Sequence, residues 1–171
     1  MQSLAKAIEQ DSLIQVKQII DNGVDLSKPL VLGSEYDLDS PDEVSVLFFA
    51  IRKNASIELI KLLLKHGVDL FEVDKEGVSS LDIAIKFKRY DVVQLCIDSG
   101  FDLNSTKRKS GITPLMLASC FNDIDMLKLL IENGAKIDNK DKFGMNAIEY
   151  AQKLGQRKTA EFLESKIENS N

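Results

Sequence analysis

The sequence predicts an all-α solenoid of about five helix-turn-helix units joined by β-turn or hairpin loops. Three observations carry this. First, alanines Ala7, Ala50, Ala84 and Ala118 are followed by glycines Gly23, Gly67, Gly100 and Gly134 after 16 or 17 residues each time, and Ala151 lies 33 residues after Ala118. Second, turn glycines Gly77, Gly111 and Gly144 recur at spacings of 34 and 33, each two positions ahead of a hydroxyl or amide residue. Third, two short helical patterns sit back to back in each unit. A unit of that size cannot bury an apolar face alone, so neighbours must stack on it.

The first unit, 1–26, ends on IleIleAspAsnGlyValAspLeu at 19–26. Its second helix carries Gln15 and Gln18 where the middle units are apolar, as at Tyr90, Val92, Val93, Leu95, Cys96 and Ile97. Polar replacement suits a terminal repeat with one wet face, and the unit reads as an N-terminal cap. Residues 27–44 break the period. Gly23 to Ser45 spans 22 residues, against 12 or 13 in the later units, and the extra stretch holds Glu35, Asp37, Asp39, Asp42 and Glu43 against one Lys28, with LeuValLeu at 30–32. Long loops of this kind are either functional or merely tolerated, so the segment is an acidic partner-contacting finger or a solvated insertion.

Repeat 2 covers 45–73 and carries one extra residue between its helices, near Lys53–Ser56. Repeats 3 and 4 cover 74–107 and 108–140. In the fourth, Thr113 is placed to cap a helix over 113–121, with Pro114 in its first turn, and a second helix runs from about Asp123 to Asn133 before Gly134. Ser45, Ser79 and Asn146 are the matching caps elsewhere. The last unit, 141–171, has Arg157, Thr159 and Glu164 at positions that are apolar in the middle units, and reads as the C-terminal cap of a complete array.

The runs GlyIleThrProLeuMetLeuAla (111–118), GlyValSerSerLeuAspIleAla (77–84) and GlyMetAsnAlaIleGluTyrAla (144–151), with the glycine-terminated second helices, resemble the ankyrin-repeat family over nearly the whole chain. The departures are Phe48, Asp82, Met116 and Glu149 in place of the family's usual histidine, which predicts some local loss of stability, and a proline retained in only one unit.

Composition narrows function. A net charge of -5 argues against wholesale attraction to nucleic acid or anionic membranes. No apolar run approaches the roughly 20 residues of a spanning helix, and Met1–Gln10 is unlike a secretory leader. Cys96 and Cys120 form neither a metal-ligand spacing nor a disulfide framework, which suits a reducing cytoplasm. The single histidine, His66, sits before Gly67, where an imidazole suits a helix C-terminus. No constellation for catalysis, cofactor or metal is legible, and the chain reads as a non-enzyme.

The resemblance implies a protein partner held in a groove made by turn tips and first helices. By position the groove residues are Arg52, Lys53, Lys86, Phe87, Cys120, Phe121, Lys153 and Leu154, and the tips add Lys75, Glu76, Val78, Lys109, Ser110, Ile112, Lys142, Phe143 and Met145. Phe87 and Phe121 fall at equivalent positions and, with Phe143 and Ile112, predict an apolar stripe. The basic runs 86–89 and 107–109, with Arg52 and Lys53, flank it. An acidic and apolar partner surface follows, bound by a chain that is monomeric alone. The implied roles are adaptor or inhibitor. Small bacterial relatives that neutralise toxins make an immunity protein one form of the latter. Nucleic-acid binding through the same basic and aromatic groove is the alternative.

Overall fold

A computed structural model of the chain describes residues 1–32 and 42–168, which divide into two compact units, Met1–Glu72 and Val73–Asn171. The first unit contains α1 (Gln2–Glu9), α2 (Leu13–Asp21), the strands β1 (Leu30–Leu32) and β2 (Asp42–Val44), α3 (Val46–Arg52) and α4 (Ile57–Lys65). The second contains α5 (Ser80–Lys86), α6 (Tyr90–Asp98), α7 (Pro114–Cys120), α8 (Ile124–Glu132), α9 (Ala147–Lys153) and α10 (Arg157–Glu168). No described helix is long and apolar enough to cross a membrane.

Helices of seven to nine residues are too short to persist alone in water. Here each is held by its neighbours: α1 packs on α2 and α3, α3 on α4, and in the second unit α7 packs on α5, α8 and α9. Six of the seven residues of α7, Pro114 to Ser119, are buried, which is why an apolar run with no polar face forms a helix at all. The second helices are amphipathic instead, and each buries a stripe such as Val92, Val93 and Cys96 in α6 or Met126, Leu127 and Leu130 in α8.

The expected caps are in place. The side chains of Ser45, Ser79, Thr113 and Asn146 accept from the N–H groups of Phe48, Asp82, Met116 and Glu149. Asp82 and Glu149 reciprocate by accepting the Ser79 and Asn146 N–H at 2.8 and 2.7 Å, closing capping boxes. These two replacements of the usual histidine therefore supply the reciprocal acceptor at their helix starts. Gly23, Gly67, Gly100 and Gly134 all terminate second helices at φ between 85° and 95°, the left-handed region that a side chain resists.

A second recurrence was not read from the sequence. The turn between the two helices of each repeat has one residue at positive φ: Asp11, Asn54, Lys88, Asn122 and Gly155. Three of these side chains reach the start of the next repeat's second helix, each within its own compact unit. Asp11 accepts from the Ser56 N–H and hydroxyl, Lys88 lies 3.6 Å from the Asp123 carboxylate, and Asn122 accepts from the Thr159 hydroxyl. The last contact corrects one expectation. Thr159 does not face water: it is fully buried, its hydroxyl satisfied by Asn122, while Arg157 and Glu164 are exposed, as are Gln15 and Gln18. The connection in the second helix pair runs Lys53–Ser56, one residue longer than Phe87–Arg89 or Phe121–Asp123, as its spacing predicts.

Part of the 27–44 segment is a hairpin. β1 and β2 pair antiparallel with Leu30 opposite Val44 and Val31 opposite Glu43, and β1 rests against α1. Leu30 and Val44 are buried and Val31 is 54% exposed, the alternation that a half-covered strand requires. Burial of Leu30 and Val44 stabilises this root by about 1.5–3 kcal/mol each. Glu35, Asp37 and Asp39, which carry most of the acidic-finger expectation, lie outside the described residues.

Candidate functional site

In the second unit each first helix begins just after a tight turn, or tip, at 74–77, 108–111 and 141–144. The tips are built alike: Gly77, Gly111 and Gly144 donate to the carbonyls of Asp74, Arg108 and Asp141. In the outer two the aspartate side chain folds inward, Asp74 accepting from the Glu76 and Val78 N–H groups and Asp141 from those of Phe143 and Met145. Adjacent tips are stitched by backbone bonds, Lys109 N–H to Glu76 O at 3.3 Å and Lys142 N–H to Ser110 O at 3.2 Å. Asp141 also accepts the Tyr150 hydroxyl at 2.6 Å. Burial opposes ionisation of this carboxyl, but the Tyr150 hydroxyl and two N–H groups outweigh it and hold it below the usual carboxylate range. Burial, then the bond to Asp141, pushes the Tyr150 hydroxyl up to about 12.

About one short helix length, roughly 10 Å, beyond the tips stand the residues that close α5, α7 and α9: Phe87, Phe121 and Leu154. Phe87 is 41% exposed and Leu154 52%, while Phe121 is half-buried. Phe143 projects from the last tip at 78% exposure, with Ile112 and Met145 half-buried at the tip ends. The ammonium of Lys86 lies 5.9 Å from the centre of the Phe87 ring. Phe87, Phe121, Phe143, Ile112, Met145, Lys86 and Lys109 thus all belong to the second unit, and Leu154 completes the row at the equivalent position of α9. Arg52 and Lys53 lie in the first unit, at the end of α3. Lys53 is engaged there, 2.6 Å from Glu9 and over the Phe49 ring.

The contiguous basic runs do not form contiguous basic patches. In 86–89, Arg89 is buried and its guanidinium donates to both oxygens of Asp91 at 2.9 and 2.7 Å, while Lys88 is drawn to Asp123. In 107–109, Arg108 turns inward to the buried Asp82 at 3.1 Å, and Lys109 lies 3.1 Å from Glu76. Exposed lysines remain at Lys75, Lys86, Lys107, Lys142 and Lys153, and among the described residues none of these five has an ion pair. Of the carboxylates near them, Asp82 and Asp141 are buried, exposed Asp74 and Glu149 accept turn and capping N–H groups, and exposed Glu76 pairs with Lys109. In a chain of net charge -5, lysines without an ion pair and apolar side chains are thus gathered on this face.

Burial pushes the Cys96 thiol up to about 12 against the opposing Ser80 contact, and burial also raises Cys120, whose thiol donates to the Met116 carbonyl. Thiols so shifted stay protonated and are poor nucleophiles at neutral pH. His66 closes α4, its N–H bonded to the Leu62 and Leu63 carbonyls. No group of three or more candidate metal ligands occurs among the described residues.

A family model described as ankyrin repeats (3 copies) matches residues 4–107 and 93–171. A putative ankyrin repeat protein, L371, of Acanthamoeba polyphaga mimivirus is 31% identical over 109 residues, 64% of this chain and 14% of that protein. The phosphocholine transferase AnkX of Legionella pneumophila is 28% identical over 148 residues, 85% of this chain and 14% of AnkX. A putative ankyrin repeat protein of Rickettsia felis is 29% identical over 131 residues, 77% of this chain and 41% of that protein. The chain thus spans well under half the length of each of these relatives.

Proposed function

This chain belongs to the ankyrin-repeat family, whose repeats are generally protein–protein interaction modules, and from that premise we propose that it binds a partner protein through the second unit, on the face carrying the tips and the ends of α5, α7 and α9. The observation that carries the reading is the row of exposed Phe87, half-buried Phe121 and exposed Leu154 at repeat-equivalent places, with the exposed Phe143 on the neighbouring tip. Scattered exposed apolar residues are ordinary, but an aligned set rimmed by lysines has the make-up of an interface core with a polar rim. The partner surface that suits it is apolar at its centre and acidic at its edge. The module acts without chemistry of its own, as an adaptor or as an inhibitor that masks an active surface, in a reducing compartment where Cys96 and Cys120 stay free. Neutralisation of a toxin is one form of such masking.

The test is affinity capture from the native host with the full chain and with its Phe87→Asp/Phe121→Asp variant, matched by circular dichroism. A stoichiometric protein retained by the wild type and lost from the variant is the expected result. Equal capture by both baits moves the site off this face. Retention of nucleic acid alone favours the charge-driven alternative.

A further inference from the structure

Lys75, Lys109 and Lys142 occupy the same position of the three tips, one residue after Asp74, Arg108 and Asp141, at spacings of 34 and 33 residues. All three are exposed. The carboxylates nearest in sequence are engaged locally: Asp82 and Asp141 are buried, against Arg108 and in the last turn, while the exposed Asp74 and Glu149 accept backbone N–H groups of their own turn and helix start. Glu76 is the exception, and its pairing with Lys109 joins side chains 60% and 69% exposed, an arrangement weak enough for an incoming carboxylate to displace. Beside the last lysine stands Phe143, the most exposed large apolar side chain among those described.

We infer that the tip edge of the second unit is a docking strip for an extended acidic peptide segment that crosses the repeats, one carboxylate per tip lysine, with an apolar side chain against Phe143. The inference rests on the protein-binding reading above and specifies its occupant. The spacing of the occupant follows from the fold. Side-by-side helices such as α5, α7 and α9 stand about 8–10 Å apart, and an extended chain in the polyproline II conformation advances about 3.1 Å per residue with three residues per turn, so every third residue of the peptide faces the strip and meets a successive tip. A phosphate polymer fits less well, because it offers no apolar group for Phe143 and meets a chain whose total charge is negative.

The experiment is fluorescence-anisotropy titration of the full-length chain with a synthetic peptide of about 12 residues, glutamate at every third position and a phenylalanine beside the last. A peptide of identical composition with its glutamates clustered is the comparison. The spaced peptide is expected to bind at least about tenfold more tightly than the clustered one, to weaken at least about tenfold in the Lys75→Glu/Lys109→Glu/Lys142→Glu variant, and to lose affinity with salt. Phe143→Ala weakens it further without altering the salt dependence. All four side chains are exposed, so these variants fold, and circular dichroism checks that they do. Equal binding of the two peptides, no binding of either, or tighter binding of a single-stranded oligonucleotide overturns the strip. Native-partner capture that survives the lysine reversals but not the Phe87 and Phe121 changes sinks the strip and leaves the protein-binding reading standing.

Discussion

Gly77→Ala lowers stability by about 3 kcal/mol or more, whereas Gly144→Ala, at the equivalent tip, costs about 1 kcal/mol. Both glycines have φ of 78°, so the left-handed strain on an added side chain is the same. The surroundings differ. A Cβ on Gly77 would stand 1.9 Å from the Lys107 carbonyl oxygen, 2.4 Å from its carbon and 2.9 Å from the Arg108 nitrogen, all of them backbone, while a Cβ on Gly144 meets nothing within 4 Å. Backbone at 107–108 cannot retreat without loosening the Lys109 to Glu76 stitch and the Arg108 contact with Asp82. Urea denaturation of the two variants measures the difference directly, and equal losses would show that the close approach at Gly77 is not maintained in solution.

Asp82→Ala is expected to lose about 3–5 kcal/mol. One oxygen of this buried carboxylate accepts from the Ser79 N–H and hydroxyl at 2.8 and 2.9 Å, and the other lies 3.1 Å from Arg108 Nε, whose side chain is itself only 21% exposed. Removing the carboxylate breaks the reciprocal half of the α5 capping box, leaving the Ser79 hydroxyl cap, and strands a guanidinium between α5 and the following tip. The double variant Asp82→Ala/Arg108→Met removes the stranded charge and is expected to recover part of the loss, giving a coupling energy of about 2 kcal/mol between the two sites. Strict additivity of the single losses would mean that the pair does not hold the repeats together.

The repeat register, the N-caps and the left-handed helix ends were legible because each is a local requirement: a turn needs its glycine, and a helix start needs its acceptor within three residues. The charge pattern was not. Arg89 reads as part of a basic run at 86–89, yet it folds back onto Asp91, and Arg108 reads as one of three surface cations until stacking brings Asp82, 26 residues earlier, beneath it. Contacts across repeats depend on which side chains stacking brings face to face, and sequence adjacency carries little of that information. Thr159 shows the same limit, since a polar residue in a terminal helix looks like a wet face until Asn122 of the preceding unit is seen to satisfy it. The apolar 30–32 run stood out, but its pairing with 42–44 did not, because β2 is short and mostly acidic. On the candidate face, Phe87 and Phe121 were found through their equivalence, and the same comparison applied to the tips isolates Lys75, Lys109 and Lys142 from the other cations.

The central claim is that one side of the second unit is the binding face, and hydrogen–deuterium exchange of the captured complex against the free chain tests it most directly. Slowed exchange at 74–78, 108–112 and 141–145, and at the ends of α5, α7 and α9 around Phe87, Phe121 and Leu154, is the predicted footprint. Protection confined to the outward surfaces of α6, α8 and α10, or to the first unit alone, would contradict it.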